Sequence, residues 1–368
     1  MTTRVRDHSA VKEGSTRATN SSKSARPTET VECLMQRIDR QYAGLLGALA
    51  ILIVVLSFTA PHFVTLRNAT NILQSVSFLG IISLGMTLVI VAAEIDISVG
   101  SAMSLYSALL GVLVTHHRWP ILAAAFAVIA LGALVGAGAG YVRHRFNVPS
   151  FIVTLALLST LAGFAQYLTN ASPIAITSGT FAKLGGGTIH DVPIPLLFFL
   201  GLFIVFWFVA EKTTFGRSVY AVGGNAEAAL IAGLSLRRVR ILVFTMTGLL
   251  SAVSAILLSS LIGSGNSGIG TGAEFQVIAA VIVGGTSLFG GRGKMTGTLL
   301  GVVFIGVLTN GMVLLGANQY LQQVAQGLII LAAVLVSETL RGGGRWHHRS
   351  RHETETPVPN VVVNTADA

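Results

Sequence analysis

From about residue 40 onward the chain alternates long apolar stretches with short polar ones, and the length of the apolar runs decides its class. A helix needs about 20 mostly apolar residues to cross a bilayer. Runs near that length recur at 42–60, 72–93, 99–115, 121–142, 151–169, 194–210, 241–262, 275–290, 295–315 and 320–340. None holds a lysine or arginine in its interior, and Glu338, near the end of the last, is the only acid inside one. The run at 275–290 is interrupted by Gly284, Gly285 and Gly290 and reads as a broken or tilted helix. The pattern therefore predicts an all-α polytopic membrane protein with about ten transmembrane helices over residues 41–340. Residues 1–40 are rich in Ser, Thr, Arg and Lys without apolar periodicity and read as a disordered basic tail. That tail is too long for a secretory signal and offers no convincing cleavage site. Residues 341–368 read as a second disordered tail.

Composition agrees with the pattern. Of 368 residues 52% are hydrophobic and 11% charged, with mean hydropathy +0.73, whereas charge makes up about a quarter of a soluble domain. A net charge of +9 raises nucleic acid as a partner, so the placement of the basic residues decides. If the N-terminus lies inside, all but Arg67, Arg118 and Lys183 of the 24 Lys and Arg fall on inner segments, as the positive-inside rule requires. The basic residues therefore report topology, place both termini in the cytoplasm, and argue against a nucleic-acid partner. The single cysteine, Cys33, lies in the N-terminal tail and excludes an internal disulfide.

Lipid gives helices no hydrophobic reason to associate, so packing should rest on small residues. Gly132, Gly136 and Gly140 share one helix face, as do Gly293, Gly297 and Gly301. Both ladders predict close backbone contact rather than ligand binding.

Candidate chemistry is thin. Gly263, Gly265 and Gly268 make a Gly-x-Gly-x-x-Gly, but they follow a membrane helix on the expected outer face rather than a strand. Gly293-Lys294 resembles part of a phosphate-binding loop, yet Leu288 and Met295 occupy its leading glycine and Ser/Thr positions. His116-His117 and His347-His348 lack the spacing that puts two metal ligands on one helix face. The expectation is a transport protein with no catalytic residues, no metal and no cofactor of its own. Glu94 and Asp96 interrupt two spans almost without a spacer. Asp96 or Ser98 can cap the following helix; equally, the turn can line or gate a pathway, because acids at membrane depth face protein or water. A pathway for a neutral, hydroxyl-rich solute calls for amides and hydroxyls, which adds Gln166, Asn310 and Gln323 to Glu94, Asp96 and Ser98 as pathway candidates. Bonding between helices is the competing role for each amide.

The longest polar island inside the membrane region is 211–240. Asn225 is a good helix N-cap, Glu227 sits in the first turn, and Gly233 is placed as a terminal glycine. A helix over 226–232 follows, with Ser235 capping the next span. Two turns of helix are marginal alone, which suggests a handle by which a partner moves the spans.

Glu227, Ala228, Ala229 and Gly233 spell Glu-Ala-Ala-x-x-x-Gly, which resembles the coupling-helix motif of ABC importer permeases. The hydrophobic-x-Leu-Pro ending of the fuller motif is missing, with Val243, Phe244, Thr245 and Met246 in its place. From about residue 70 to 335 the chain is similar to the ribose/xylose/galactose permease family, through GMTLVIVAAEIDISVGS, VPSFIVTLALLSTLAG, TTFGRSVYAVGGNAEAALIAG, IAAVIVGGTSLFGGRGKMTGTLLG and LLGANQYLQQVAQGLIILAAV. The resemblance implies a bacterial inner-membrane permease paired with a second permease copy or paralogue, a cytoplasmic ATP-binding subunit that uses ATP, and an extracytoplasmic solute-binding protein. It also implies that Asn225, Glu227, Ala228, Ala229 and Gly233 couple the spans to the ATPase, and that the cargo is a monosaccharide or sugar-like solute. The alternative is a secondary transporter or channel for a small polar solute without an ATPase partner.

Overall fold

A computed structural model describes the backbone of residues 27–342 and the side chains of 42–332 and 335. The tails expected at 1–40 and 341–368 fall largely outside these described residues, although helix α1 (Pro27–Thr59) begins upstream of the boundary expected near residue 40. The chain divides into two units, 1–41 and 42–368, and the architecture below is that of the second.

After α1 come α2 (Leu66–Val91), α3 (Val99–Gly111, continued by a π turn to His116), α4 (Ile121–Arg145) and α5 (Ser150–Thr169). Strand β1 (Ile174–Ala175), α6 (Gly179–Gly186), β2 (Thr188–Ile189) and β3 (Val192–Pro193) form a surface excursion before α7 (Ile194–Lys212). Then follow α8 (Thr214–Gly224), α9 (Ala226–Ile231), α10 (Leu236–Ile262), β4 (Ser264–Gly265), α11 (Ala273–Val283), α12 (Met295–Leu314) and α13 (Gln319–Gly342). The strands are two-residue ladders, β1 antiparallel to β4 and β2 to β3.

Among the described residues eight helices are long and apolar enough to cross a membrane: Tyr42–Thr59, α2, Val99–His116, α4, α5, α7, α10 and α12. The protein is thus an all-α, multi-spanning membrane protein. The run expected at 320–340 is covered by α13, most of whose side chains beyond residue 332 lie outside the described set. The run expected at 275–290 differs. Helix α11 stops at Val283 after 11 residues, about 16 Å of rise and too short to span. Beyond it Gly285, Gly290 and Gly291 take φ of 92°, 80° and 70°, a backbone that side chains disfavour and that ends the helix.

At the centre of the bundle α10 packs against α2, α3 and α4, and α2 is buried throughout from Val76 to Val91. The glycine ladders explain how backbones come this close. A Cβ on Gly132 would meet the Gly248 carbonyl, one on Gly136 the Phe244 carbonyl, and one on Gly140 the Ile241 backbone, so α4 lies directly on α10. The second ladder seats α12 on α11, with Gly297 against Gly284 and Gly301 against Ala280. Buried hydroxyls in the spans return their proton to the carbonyl one turn back, as Ser83 does to Leu79 and Thr247 to Val243. Others bridge helices, with Thr87 and Thr298 2.7 Å apart. Asn68 and Asn310 exchange amide hydrogen bonds of 3.0 and 2.9 Å, joining α2 to α12.

The ladder sets up a paired comparison on one helix. Gly136→Ala must push α10 aside and should cost about 1–3 kcal/mol, whereas Gly138, with nothing within 4 Å of an added Cβ, should accept alanine without loss. Thermal unfolding of the two variants in the same detergent reads the difference.

Candidate functional site

Two places gather the polar groups predicted from sequence. The first lies just after α2. The buried carboxylate of Glu94 accepts from Arg143 Nε, at the end of α4, at 2.8 and 3.1 Å, while Arg240 Nε, near the start of α10, lies 2.8 Å from Oε1. This second contact is an ion pair. A lone carboxylate this buried would be costly, and two guanidiniums offset its desolvation. Glu94 thereby holds the ends of α2, α4 and α10 at one level, on the face that carries most of the arginines.

From that level the chain does not restart a helix at once. Ser259 lies about 28 Å along α10 from Arg240 at 1.5 Å per residue, and its hydroxyl donates to Ser107 Oγ at 2.7 Å. Ser107 is about 12 Å into α3. The start of α3 is therefore offset along the bundle from the level of Glu94 by roughly the difference of those two rises. Helix α3 starts about midway through the bundle, below an irregular segment. Non-helical backbone at this depth survives only where protein satisfies it. Ile95 N–H donates to Ser150 Oγ at 3.0 Å, Thr154 Oγ1 donates to the Ile95 carbonyl at 3.3 Å, and Asp96 Oδ1 accepts from the Ser98 amide at 2.9 Å and the Ser98 hydroxyl at 2.6 Å. Asp96 thus builds the turn ahead of α3, while the Ser98 side chain is spent on Asp96 and makes no cap bond of its own.

A second break faces the first. Residues 263–272, which include the Gly263, Gly265 and Gly268 pattern, run alongside α3 in non-helical form. The Asn266 amide donates to Ser107 Oγ at 2.9 Å and the Gly270 amide to Ser104 Oγ at 3.2 Å. Gly265 abuts Gly111 and Gly270 abuts Gly100, where a Cβ would strike the opposing backbone. Helix α11 then begins beside Gly100, with the buried Glu274 carboxylate against that glycine. Helices α3 and α11 thus start at a shared level inside the bundle.

The other gathering place is the stretch 211–240, which holds one helix more than the sequence suggested. Thr213 Oγ1 accepts from the Gly216 amide at 3.2 Å and opens α8, which buries Val219 and Val222. The cue was Thr213 followed by Phe215, Val219 and Val222 at helical spacing. Asn225 then caps α9: its backbone is extended at φ −158° and its Oδ1 accepts from the Ala228 amide at 3.0 Å. Glu227 stands exposed in the first turn, Ala228 is exposed, and Ala229 alone turns inward. Gly233, at φ 82°, reverses the chain while Leu234 N–H returns to the Ala229 carbonyl at 2.9 Å. Ser235 Oγ accepts from the Arg238 amide at 3.4 Å and opens α10. Helix α9 presents Leu230, 59% exposed, and Ile231, 88% exposed, to the outside.

A backbone junction ties this stretch to the spans. The Gly291 amide donates to the Val91 carbonyl at 2.8 Å. A Cβ on Gly223 would run into that same carbonyl oxygen, and one on Gly290 into Ala93. The end of α8, the end of α2 and the 284–294 loop therefore meet without side chains between them. Tyr220 adds a fourth link, donating to the Gly293 carbonyl at 2.8 Å. Burial first, then the charges of Glu211 and Tyr42, pushes its phenol up to about 12, so the donor stays protonated.

The remaining candidates lie apart. Asn310 is engaged with Asn68, and Gln166 and Gln323 are exposed on α5 and α13. Ser104, Ser107, Ser150 and Thr154, which hold both breaks together, escaped the sequence reading because a membrane serine usually bonds its own helix. Among the described residues no group of three or more His, Cys, Asp or Glu is placed to hold a metal ion.

Residues 68–334 match the model of a family described as the branched-chain amino acid transport system permease component. A probable ABC transporter permease protein of Escherichia coli is 49% identical over 294 residues, 80% of this chain and 88% of that relative. A ribose import permease protein of Escherichia coli is 38% identical over 78% of this chain and 91% of its own length. An L-arabinose ABC transporter permease protein of Azospirillum brasilense is 36% identical over 82% and 89%.

Removing the charge on Glu94 leaves two guanidiniums crowded at a buried site. Glu94→Gln should lower stability by about 3 kcal/mol, measured as a drop in the thermal midpoint of the purified protein. An unchanged midpoint would show that the two arginines do not depend on the carboxylate.

Proposed function

The chain belongs to the family of branched-chain amino acid transport system permease components, and from that membership we propose that it is the membrane subunit of a bacterial inner-membrane, ATP-driven importer for a monosaccharide or sugar-like solute. Relatives whose names specify ribose and L-arabinose support the cargo class. In this reading the permease works with a second copy or paralogue, an extracytoplasmic solute-binding protein and a cytoplasmic ATPase. Both termini and α9 lie in the cytoplasm, and about ten crossings result if α13 spans and α11 crosses together with its flanking non-helical segments.

The observation that carries the proposal is α9. A two-turn helix capped at both ends, with one inward alanine and two exposed aliphatic side chains, is built to be held by something else. The ATPase would grip Leu230 and Ile231, with Asn225, Glu227, Ala228, Ala229 and Gly233 fixing the shape and angle of the handle. Its movement would reach α2 through the Gly223–Val91–Gly291 junction, and α2 leads directly to Glu94, Asp96 and Ser98. These three would act as hinge and gate: Glu94 anchors the helix ends, while Asp96 and Ser98 form the turn where the pathway meets the first break. Discontinuous helices near the membrane midplane commonly mark substrate pathways. Gln166, Asn310 and Gln323 remain pathway candidates of lower rank, because one is committed to Asn68 and two face outward.

Ile231→Glu puts a charge in the centre of the proposed grip without touching the spans. ATP-dependent sugar uptake into proteoliposomes should fall at least tenfold, a loss of about 1.4 kcal/mol or more in docking, while the protein inserts normally. Uptake that persists without ATP and collapses with an uncoupler would instead identify a secondary transporter.

A further inference from the structure

The Arg-rich face holds more positive charge than Glu94 can use. Arg143 and Arg240 are committed to it, and among the described residues no carboxylate pairs with Arg145 or Arg237. These two arginines, with Tyr141 and His144, line a cleft of about 250 Å³ between the end of α4 and the start of α10. The Arg237 guanidinium lies 5.7 Å from the Tyr141 ring centroid and the Arg145 guanidinium 5.7 Å from that of Phe146, so aromatic faces hold both cations at the rim. His144 Nδ1 is buried without a hydrogen-bond partner among the described residues. The first turn of α10 carries Arg237 and Arg238 and no acid, which sets cations at the positive end of a helix dipole, an arrangement that an anion would relieve. Charge, dipole and shape all call for an anionic oxygen group.

We propose that this cleft binds the phosphodiester headgroup of an anionic phospholipid. Arg145 and Arg237 would take the phosphate oxygens, with His144 as a further donor. The lipid source is favoured over a soluble anion by position. Arg145 is the last residue of a membrane-spanning helix, and two exposed aromatic side chains at the end of α4 adjoin the cleft, Tyr141 in its lining and Phe146 against Arg145. Aromatic residues at that level mark the headgroup zone, and basic clusters there attract anionic lipid. A lipid bound here would bridge α4 and α10 beside the Glu94 ion pair, so lipid composition would tune the stiffness of the hinge.

The test uses the full-length chain purified in neutral detergent, with phosphatidylglycerol, phosphatidylcholine or inorganic phosphate added, and native mass spectrometry to count retained lipid. Phosphatidylglycerol should be retained at low molar ratio while phosphatidylcholine is shed. Arg145→Gln with Arg237→Gln should weaken that retention about thirtyfold, at the usual contribution of about 1 kcal/mol for each basic side chain near an anionic surface. Lys212→Gln, at a cation stacked on Trp207, should leave it unchanged. The doubly substituted Arg145→Lys, Arg237→Lys chain keeps the charge and should retain at least half of the binding, which separates lost recognition from lost folding. Equal retention of phosphatidylcholine, full retention by the double Gln variant, or displacement of the lipid by millimolar inorganic phosphate would each overturn the proposal. The last result would make the cleft a site for a soluble anion or a partner's acidic side chain.

Discussion

The constraint on which this structure depends is that backbone polar groups at membrane depth have no water to pair with. Two crossings of the bundle are broken, at 94–98 and at 263–272, and each exposes amides and carbonyls that a helix would have satisfied internally. Four hydroxyls answer for them: Ser150 and Thr154 on α5 for the first break, Ser104 and Ser107 on α3 for the second. Ser107 serves both sides at once, accepting from the Asn266 amide and from Ser259 on α10. The breaks are therefore paired features, since the helix that restarts after one supplies the hydroxyls that satisfy the other.

A bundle with two non-helical breaks in contact can shift at the breaks without dismantling whole spans. The Gly100–Gly270 and Gly111–Gly265 contacts show how little room separates the broken segments. Displacement of one segment must then be transmitted to the other or resisted by it. On the Arg-rich face the same logic recurs in backbone alone, where Gly223, Val91 and Gly291 meet with no side chain to yield between them. A push on α9 enters α8, reaches the end of α2 through that junction, and arrives at Glu94 and the first break within a few residues.

Much of the architecture was legible in the sequence because helix length and lipid thickness are tied together, and apolar runs bounded by arginines leave few alternatives. The capped helix at Asn225–Gly233 was legible for a similar reason, since Asn, Glu and Gly each sit where backbone chemistry needs them. The half-length of α11 was only half legible. Gly284, Gly285 and Gly290 flagged the interruption and the start expected at 275 lies two residues from the observed Ala273, but nothing in the local pattern said that the ten residues before it would be held by α3. Helix α8 was missed because its apolar face is short and lies within a polar stretch. Glu94 was read as part of a pathway or gate, and its two arginine partners could not be found from spacing, lying 49 and 146 positions away along the chain. Contacts of that range are set by tertiary packing, which a single sequence does not display.

The central claim is that force from a docked ATPase passes from α9 to the spans through a junction that only glycine permits. The most direct measurement is the number of sugar molecules imported per ATP hydrolysed by the assembled transporter carrying Gly223→Ala. The account predicts that the variant still assembles and hydrolyses ATP while the ratio collapses toward zero, because the added methyl displaces α8 from the Val91 carbonyl. Import per ATP equal to that of the unaltered protein would contradict it, and would place the mechanical connection elsewhere than at this junction.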